Sequence, residues 1–344
     1  MNFLRPVHGT TQEVVAALER WLAATREPEP LVVATSGSTG RPKQVLLSRR
    51  AMLASAEATH QRLGAPGRWL LALPISYVAG LQVAIRSLLA GAAPIEVDDD
   101  WAAAVERLDG VGYASLVPTQ LHRIVTDGGA ALAALARLDA VLLGGGPIDP
   151  ALRARAEAAG VRVVATYGAS ETSGGCVYDG VALPGVEVRI DEAGLIRLGG
   201  ATVFSGYLDD PELTAATLHD GWYLTSDLGR IVDGRLQVLG RADDVVISGG
   251  VNVPLPAVAA RLREHPDVEL VEVVGVLDPE WGQRVVAVVT GARLPELAVL
   301  RDWVAETSPR AWAPRDVVAV AQLPLLSNGK PDRAAIRRLA QEAR

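Results

Sequence analysis

The stretch Leu31-Val-Val-Ala-Thr-Ser-Gly-Ser-Thr-Gly-Arg-Pro-Lys43 holds the densest chemistry in the chain. A short apolar run ends in Thr35, Ser36, Gly37, Ser38, Thr39 and Gly40, and Lys43 follows. Glycines let backbone N–H groups crowd an anion, hydroxyls add donors and a lysine adds positive charge, so this composition suits a phosphate. It is not a Walker loop: Pro42 precedes the lysine and neither Ser nor Thr follows it, so the usual helix start and magnesium ligand are missing. A flexible surface turn is the alternative reading. Cys176 is the single cysteine, so an intramolecular disulfide and a multi-cysteine metal site are both excluded. With no histidine or other base paired to it in sequence, it reads as a small buried residue and not as a nucleophile.

Such a loop needs a scaffold. The 344 residues suit two domains better than one. Hydrophobic residues make up 49% and charged residues 21%, a globular composition. Aromatics are only 4%, so the cores must be built from Ala, Val and Leu. A net charge of −7 argues against a general nucleic-acid binder, which needs clustered Lys and Arg. It leaves room for a small anion at a local positive site. The opening residues do not read as a signal peptide, and the apolar runs are too short or too interrupted by Gly and Pro to span a bilayer. The expectation is a soluble, cytoplasmic protein without membrane insertion.

Helical and strand patterns alternate along the first half. Thr11 to Thr25 has helical spacing; Leu31 to Ala34, Trp69 to Leu73, Ala114 to Val117, Ala140 to Leu143 and Arg162 to Thr166 read as strands. Helices are expected over Leu81 to Leu89 and Pro150 to Ala159. This alternation predicts α/β layers with some parallel sheet. After about residue 180 the pattern changes to short strands, over Gly185 to Leu198 and Gly229 to Leu239, with Asp233-Gly234 as a hairpin signal. Beyond Asp243 come a strand, a helix near Pro256 to His265, strands over Val268 to Leu277 and Val285 to Thr290, and a helix near Pro295 to Thr307. The expected organisation is a large α/β domain over 1–240, with a β-rich part at about 181–240, and a small α+β domain over 241–344.

Thr35-Ser-Gly-Ser-Thr-Gly-Arg-Pro-Lys43 resembles the phosphate loop of the adenylate-forming superfamily, which includes acyl-CoA synthetases, peptide-synthetase adenylation domains and beetle luciferases. Further segments match that family's motifs in order, across nearly the whole chain. Leu142-Leu-Gly-Gly-Gly-Pro147 resembles the loop whose backbone, at Gly144, Gly145 and Gly146, lies against adenine. Thr166-Tyr-Gly-Ala-Ser-Glu171 resembles the Tyr-Gly-x-Thr-Glu motif, with Ser170 in place of Thr. The resemblance implies that Tyr167 and Gly168 lie near adenine, that Ser170 bonds phosphate and that Glu171 helps to hold Mg2+, a hard ion that prefers carboxylate and phosphate oxygens. Gly221-Trp-Tyr-Leu-Thr-Ser-Asp-Leu-Gly229 resembles the ribose-binding segment, which implies that Asp227 accepts from the ribose hydroxyls. The resemblance also implies that Arg241 completes the nucleotide site and that Asp243 matches the hinge about which the family's small domain moves. Leu325-Leu-Ser-Asn-Gly-Lys330 resembles the loop with the adenylation lysine, which makes Lys330 catalytic beside Lys43 and Glu171. Ser248, Gly249 and Gly250 fall where the family places coenzyme A. For each isolated charge the plain alternative is a solvated surface residue.

The chain is short for this superfamily, which implies a trimmed N-terminal domain. Leu116-Val-Pro-Thr-Gln-Leu121, Gly174-Gly-Cys-Val-Tyr-Asp-Gly180 and Leu73-Pro-Ile-Ser-Tyr-Val-Ala-Gly-Leu-Gln82 resemble the 2-succinylbenzoate–CoA ligases of menaquinone synthesis, of the short actinobacterial type. Tyr77 stands where those ligases usually carry His. A dicarboxylic substrate needs a positive or donor-rich pocket for the carboxylate that does not react. Gln82 and Arg86, four apart on one expected helix, can share a face; packing of Arg86 on the surface is the alternative. Tyr77, Thr119, Ser173 and Gly174 flank the same segments. The implied cofactors are ATP, Mg2+ and coenzyme A, and the resemblance also allows a homodimer. Rival readings are a ligase for another aryl or medium-chain acid, a stand-alone adenylation protein that loads a carrier, and a non-enzymatic nucleotide-binding module.

Overall fold

The computed structural model describes residues 4–35 and 43–343. Ser36, Gly37, Ser38, Thr39 and Gly40, named above for phosphate, lie outside the described residues. The chain divides into two compact units. One holds Met1–Asp191, Ile196–Thr225 and Ile231–Leu236; the other holds Glu192–Leu195, Ser226–Arg230 and Gln237–Arg344.

In the first unit, β1 (Leu31–Ala34) and β2 (Gln44–Leu47) pair antiparallel, from Leu31↔Leu47 to Ala34↔Gln44. The Thr35 N–H donates to the Lys43 carbonyl at 2.8 Å, so Thr35 and Lys43 face each other at the base of the glycine-rich loop. A seven-stranded sheet contains β3 (Arg68–Leu71), β4 (Ile95–Glu96), β5 (Gly112–Leu116), β6 (Ala140–Leu143), β7 (Val163–Ala169), β8 (Gly174–Tyr178) and β9 (Val181–Ala182). Its order is β4-β3-β5-β6-β7-β8-β9. The strands from β4 to β7 run parallel, and β8 and β9 continue antiparallel. Every residue of β5 and β6 is buried, as expected of parallel strands covered on both faces.

Alternate residues of these strands feed two separate cores, because successive strand side chains point to opposite faces. Trp69, Tyr113, Leu142 and Val164 join one core, with Met52 and Ala56 from the helix Arg49–Leu63 and Leu81 and Ile85 from the helix Val78–Leu89. Leu70, Ala114, Val141, Leu143 and Val163 join the other, with Leu121 and Ile124 from the helix Pro118–Asp127 and Leu152 and Ala156 from the helix Pro150–Ala158. The helix expected from Leu81 starts earlier, at Val78, because Tyr77 adopts extended backbone at its N-cap.

β10 (Val186–Ile190) and β11 (Leu195–Gly200) form a hairpin, and β12 (Gly206–Tyr207) returns to β2 with Tyr207 opposite Val45. β13 (Leu218–His219), β14 (Trp222–Val232) and β15 (Arg235–Arg241) follow. Asp233 and Gly234 both take positive φ, 50° and 72°, the turn that links a two-residue hairpin. β14 starts at Trp222, ahead of the strand expected from Gly229.

The second unit contains a sheet of β16 (Val245–Ser248), β17 (Val251–Pro254), β18 (Leu270–Asp278), β19 (Gly282–Thr290) and β20 (Asp316–Ala319). Its order is β17-β16-β19-β18, with β20 parallel to β19. Val258 and Leu262 of the helix Leu255–Arg263 and Leu300 and Val304 of the helix Leu297–Ala305 share one core with Val273 and Ala287. Ile336 and Ala340 of the helix Arg333–Glu342 share another with Val274 and Val286.

Candidate active site

The carboxyl ends of the parallel strands of the first unit carry many of the residues singled out above. Tyr77 and Gln82 follow β3, Thr119 follows β5, Gly144–Gly146 follow β6, and Tyr167–Glu171 lie at and just beyond the end of β7. Because β3 is flanked by β4 on one side and β5 on the other, the chain order reverses there. Open α/β sheets bind ligands outside the carboxyl ends of their strands at such a reversal.

Lys43 and Glu171 come together through a residue that the sequence analysis did not single out. The Tyr207 hydroxyl donates to Glu171 Oε1 at 2.7 Å, and Lys43 Nζ lies 5.5 Å from the Tyr207 ring centroid. The Phe204 N–H donates to the Glu171 carbonyl at 2.9 Å. Burial, and then the neighbouring Glu171 charge, push the Tyr207 phenol well above its ordinary value, so it is a donor to the carboxylate. Glu171 is 6% exposed and pairs with no Lys, Arg or His among the described residues. No cluster of three or more metal-binding side chains occurs among them either. A single buried carboxylate fits the magnesium that travels with ATP, since Mg2+ is held by one or two carboxylates plus substrate phosphates and water. Tyr207 left no signal in the sequence, because an uncharged Tyr 36 positions from Glu171 acquires a role only through strand pairing.

The glycines have steric reasons. A Cβ on Gly144 would lie 2.2 Å from Thr166 Oγ1, and one on Gly168 would lie 2.2 Å from the Gly174 carbonyl oxygen. Gly145 takes φ 83°, a region that favours glycine. The segment therefore leaves a backbone surface with few protruding side chains between β6 and β7. Tyr167 is partly buried and packs against the apolar cluster that contains Cys176 and Leu198, and Ser170 opens a short 3-10 turn with Glu171. Cys176 is fully buried, and burial pushes its thiol up to about 12.

Gln82 and Arg86 are both buried, at 1% and 3% exposure, so the surface alternative for Arg86 does not hold. The Arg86 guanidinium stacks 5.0 Å from the Trp69 ring centroid and donates to the Tyr178 hydroxyl at 3.4 Å. Tyr178 also bonds Thr59 at 2.9 Å. Arg86 Nε and Gln82 Oε1 have no hydrogen-bond partner, and Arg86 pairs with no carboxylate among the described residues. Burial lowers its pKa. Nearby His60 is held down at about 4, first by burial and then by the Arg86 charge, so it adds no second positive charge at neutral pH. Gly174, at φ 100°, brings its backbone against Gln82, where a Cβ would lie 3.5 Å from Cγ. Ser173 precedes it in the chain. Its side chain is fully buried and donates to the Thr202 carbonyl at 2.8 Å, while its own carbonyl accepts from Ser55. It braces a left-handed turn (φ 55°).

In the second unit, Arg241 forms a two-pronged pair with Asp243, both contacts at 2.8 Å, and lies 3.7 Å from Asp227. The hydrogen bonds from Arg241 hold the Asp243 carboxyl below its ordinary range. Asp244 next to it pairs with Arg333. Lys330 sits on a turn closed by Leu326 N–H to Lys330 carbonyl (2.8 Å) and steadied by its own N–H on Asn328 Oδ1 (3.1 Å). It is half-buried with no ion pair among the described residues, and burial lowers its pKa. Ser248 is buried with an unpartnered hydroxyl. Gly249 and Gly250 take φ 58° and 77°, and Gly249 lies against Trp281, where a Cβ would be 2.6 Å from the ring.

The profile of the AMP-binding enzyme family matches residues 31–208, and that of the AMP-binding enzyme C-terminal domain matches residues 257–330. The chain belongs to the AMP-binding enzyme family. It is 47% identical over 328 residues to a probable 2-succinylbenzoate–CoA ligase of Mycobacterium tuberculosis, covering 91% of this chain and 85% of that one. It is 35% identical to the 2-succinylbenzoate–CoA ligase of Escherichia coli, covering 93% of this chain and 71% of that one. Among solved structures it resembles the o-succinylbenzoate CoA synthetase of Bacillus subtilis in complex with its acyl-adenylate intermediate. That match has a TM-score of 0.78 and 26% identity, over 91% of this chain and 69% of that one. The amide bond synthetase McbA of Marinactinospora thermotolerans is similar at TM-score 0.78 and 30% identity, over 89% and 68%. This AMP-binding enzyme thus has the two-domain adenylate-forming fold. No helix among its described residues is long and apolar enough to cross a membrane.

Proposed function

We propose that this AMP-binding enzyme is a 2-succinylbenzoate–CoA ligase, an AMP-forming acid–thiol ligase of cytoplasmic menaquinone biosynthesis. The observation that carries the choice of acid is Arg86: a buried cation with no carboxylate partner among the described residues. A buried charge is costly unless it is paired and hydrogen-bonded. A substrate with a second carboxylate supplies that pair, and Gln82 adds polar capacity on the same helix face. Tyr77, Thr119 and Gly174 shape the remainder of the acid pocket in this reading.

A carboxylate acylates poorly because oxide is a poor leaving group. In the first half-reaction a carboxylate oxygen of the acid attacks the α-phosphorus of ATP, the bond to the bridging oxygen breaks and diphosphate leaves. Negative charge builds on the phosphate oxygens, where fixed cations and donors stabilise the transition state. Lys43, Lys330 and the residues Thr35–Gly40 supply them in this proposal, and Glu171 holds the magnesium of MgATP. Gly144–Gly146, Tyr167 and Gly168 take adenine, Ser170 a phosphate oxygen, and Asp227 with Arg241 the ribose. In the second half-reaction the coenzyme A thiol, losing its proton, attacks the acyl carbonyl and AMP leaves. Ser248, Gly249 and Gly250 border the thiol's approach, and Asp243 is the hinge between the two half-reactions.

Diphosphate release with 2-succinylbenzoate, benzoate, octanoate and several amino acids tests the proposal. Turnover restricted to 2-succinylbenzoate, followed by thioester formation with coenzyme A, is the expected result. Preference for a monocarboxylic acid or an amino acid, or transfer to an amine instead of a thiol, would overturn it.

A further inference from the structure

Tyr207 is 4% exposed and sits on a strand of only two residues, yet three independent contacts fix it. Its backbone pairs with β2, opposite Val45 and two residues beyond Lys43. Its N–H donates to Thr214 Oγ1 at 2.9 Å. Its ring meets Phe204 edge-on, with centroids 5.0 Å apart. Gly206 allows this approach, since a Cβ there would lie 2.8 Å from Thr214 Cγ2. So held, the tyrosine joins the two charged groups: Glu171 Oε1 accepts from its hydroxyl and Lys43 lies over its ring. A donor on one carboxylate oxygen fixes the plane of the carboxylate and leaves the other oxygen for a cation. Partners of this kind orient metal-binding side chains.

We propose that Tyr207 is a positioning residue that orients the Glu171 carboxylate toward the magnesium of MgATP and holds the Lys43 ammonium beside it. This rests on the reading of Glu171 and Lys43 given under the proposed function. The test uses the full chain and Mn2+ as the probe, with its affinity measured by electron paramagnetic resonance in the presence of saturating ATP. Tyr207→Phe removes the hydroxyl and keeps the ring. Outer contacts of metal ligands typically change metal affinity by about 10- to 100-fold, so Mn2+ binding should weaken by about that factor. Binding of ATP without metal should stay unchanged. A second variant carries 4-aminophenylalanine at position 207, which restores a donor at the same reach and should restore Mn2+ affinity. The proposal is overturned if the phenylalanine variant keeps wild-type Mn2+ affinity, or if the amino variant loses as much as the phenylalanine variant. Glu171→Gln separates the two readings. If that change leaves Mn2+ affinity intact, the assignment of Glu171 fails; if it weakens binding and Tyr207→Phe does not, only the role of Tyr207 fails.

Discussion

Arg86→Met separates the stability of the fold from recognition of the acid. In the free protein the guanidinium is buried, and what offsets that burial is small. One contact is the Trp69 ring at 5.0 Å, in a class worth about 0.5–2 kcal/mol. The other is a hydrogen bond of 3.4 Å to Tyr178, near the long limit for such bonds. No carboxylate shares the burial among the described residues. A buried charge without an ionic partner is costly, so an apolar side chain of similar volume should be neutral or stabilising at this position. The methionine variant should therefore melt at or above the wild-type temperature. For 2-succinylbenzoate the sign reverses, because its second carboxylate would enter the site with no cation to meet it. Truncating one partner of a buried charge pair costs about 2–5 kcal/mol, roughly 30- to 4,000-fold in kcat/KM at about 1.4 kcal/mol per decade. Benzoylpropionate, the same acid without its ring carboxylate, should lose little. Diphosphate release with both acids, beside a thermal melt, measures all three quantities. Equal losses on the two acids, or a variant that melts well below wild type, would show that Arg86 is a structural residue and refute the reasoning.

Lys330→Ala should abolish diphosphate release and leave thiol transfer from a supplied acyl-adenylate largely intact; equal loss in both half-reactions would contradict its assignment. The ammonium is the useful form of Lys330, and burial lowers its pKa. Diphosphate release should therefore be full below that lowered pKa and fall as pH rises through it. The alkaline limb should begin below the ordinary lysine value of about 10.4, and Lys330→Arg should move it upward in a pH–rate profile. Gly168→Ala places a Cβ 2.2 Å from the Gly174 carbonyl oxygen, a clash with backbone, and should destabilise the protein by about 1–3 kcal/mol in urea titrations. Cys176, buried with its thiol raised to about 12, should resist iodoacetamide at pH ~8 in the native protein and react once unfolded; rapid native labelling would argue against its burial.

Local patterns carried much of the architecture. The Leu31–Ala34 and Ala140–Leu143 strands occupy the ranges their composition predicts, and Asp233-Gly234 forms its hairpin, because apolar runs and turn residues act over a few positions. The proposed function draws on Lys43, Glu171, Asp227, Arg241 and Lys330, which the sequence singles out because each is a charge within a distinctive run. Boundaries were less legible: the helix that starts at Val78 depends on how Tyr77 leaves β3. Ser173 shows the same limit, because only the tertiary structure reveals that its hydroxyl is taken by Thr202.

Sequence alone determined the kinds of groups available: a hydroxyl- and glycine-rich loop, single carboxylates and lysines, and an Arg four residues beyond a Gln. Only the tertiary structure decided which of these become neighbours. It buried Arg86 on Trp69 without a carboxylate, and it ran Tyr207 beside Val45 so that one phenol touches Glu171 and underlies Lys43. The physical reason is that the environment of a charge is set by contacts between distant segments, and strand pairing and core packing make those contacts.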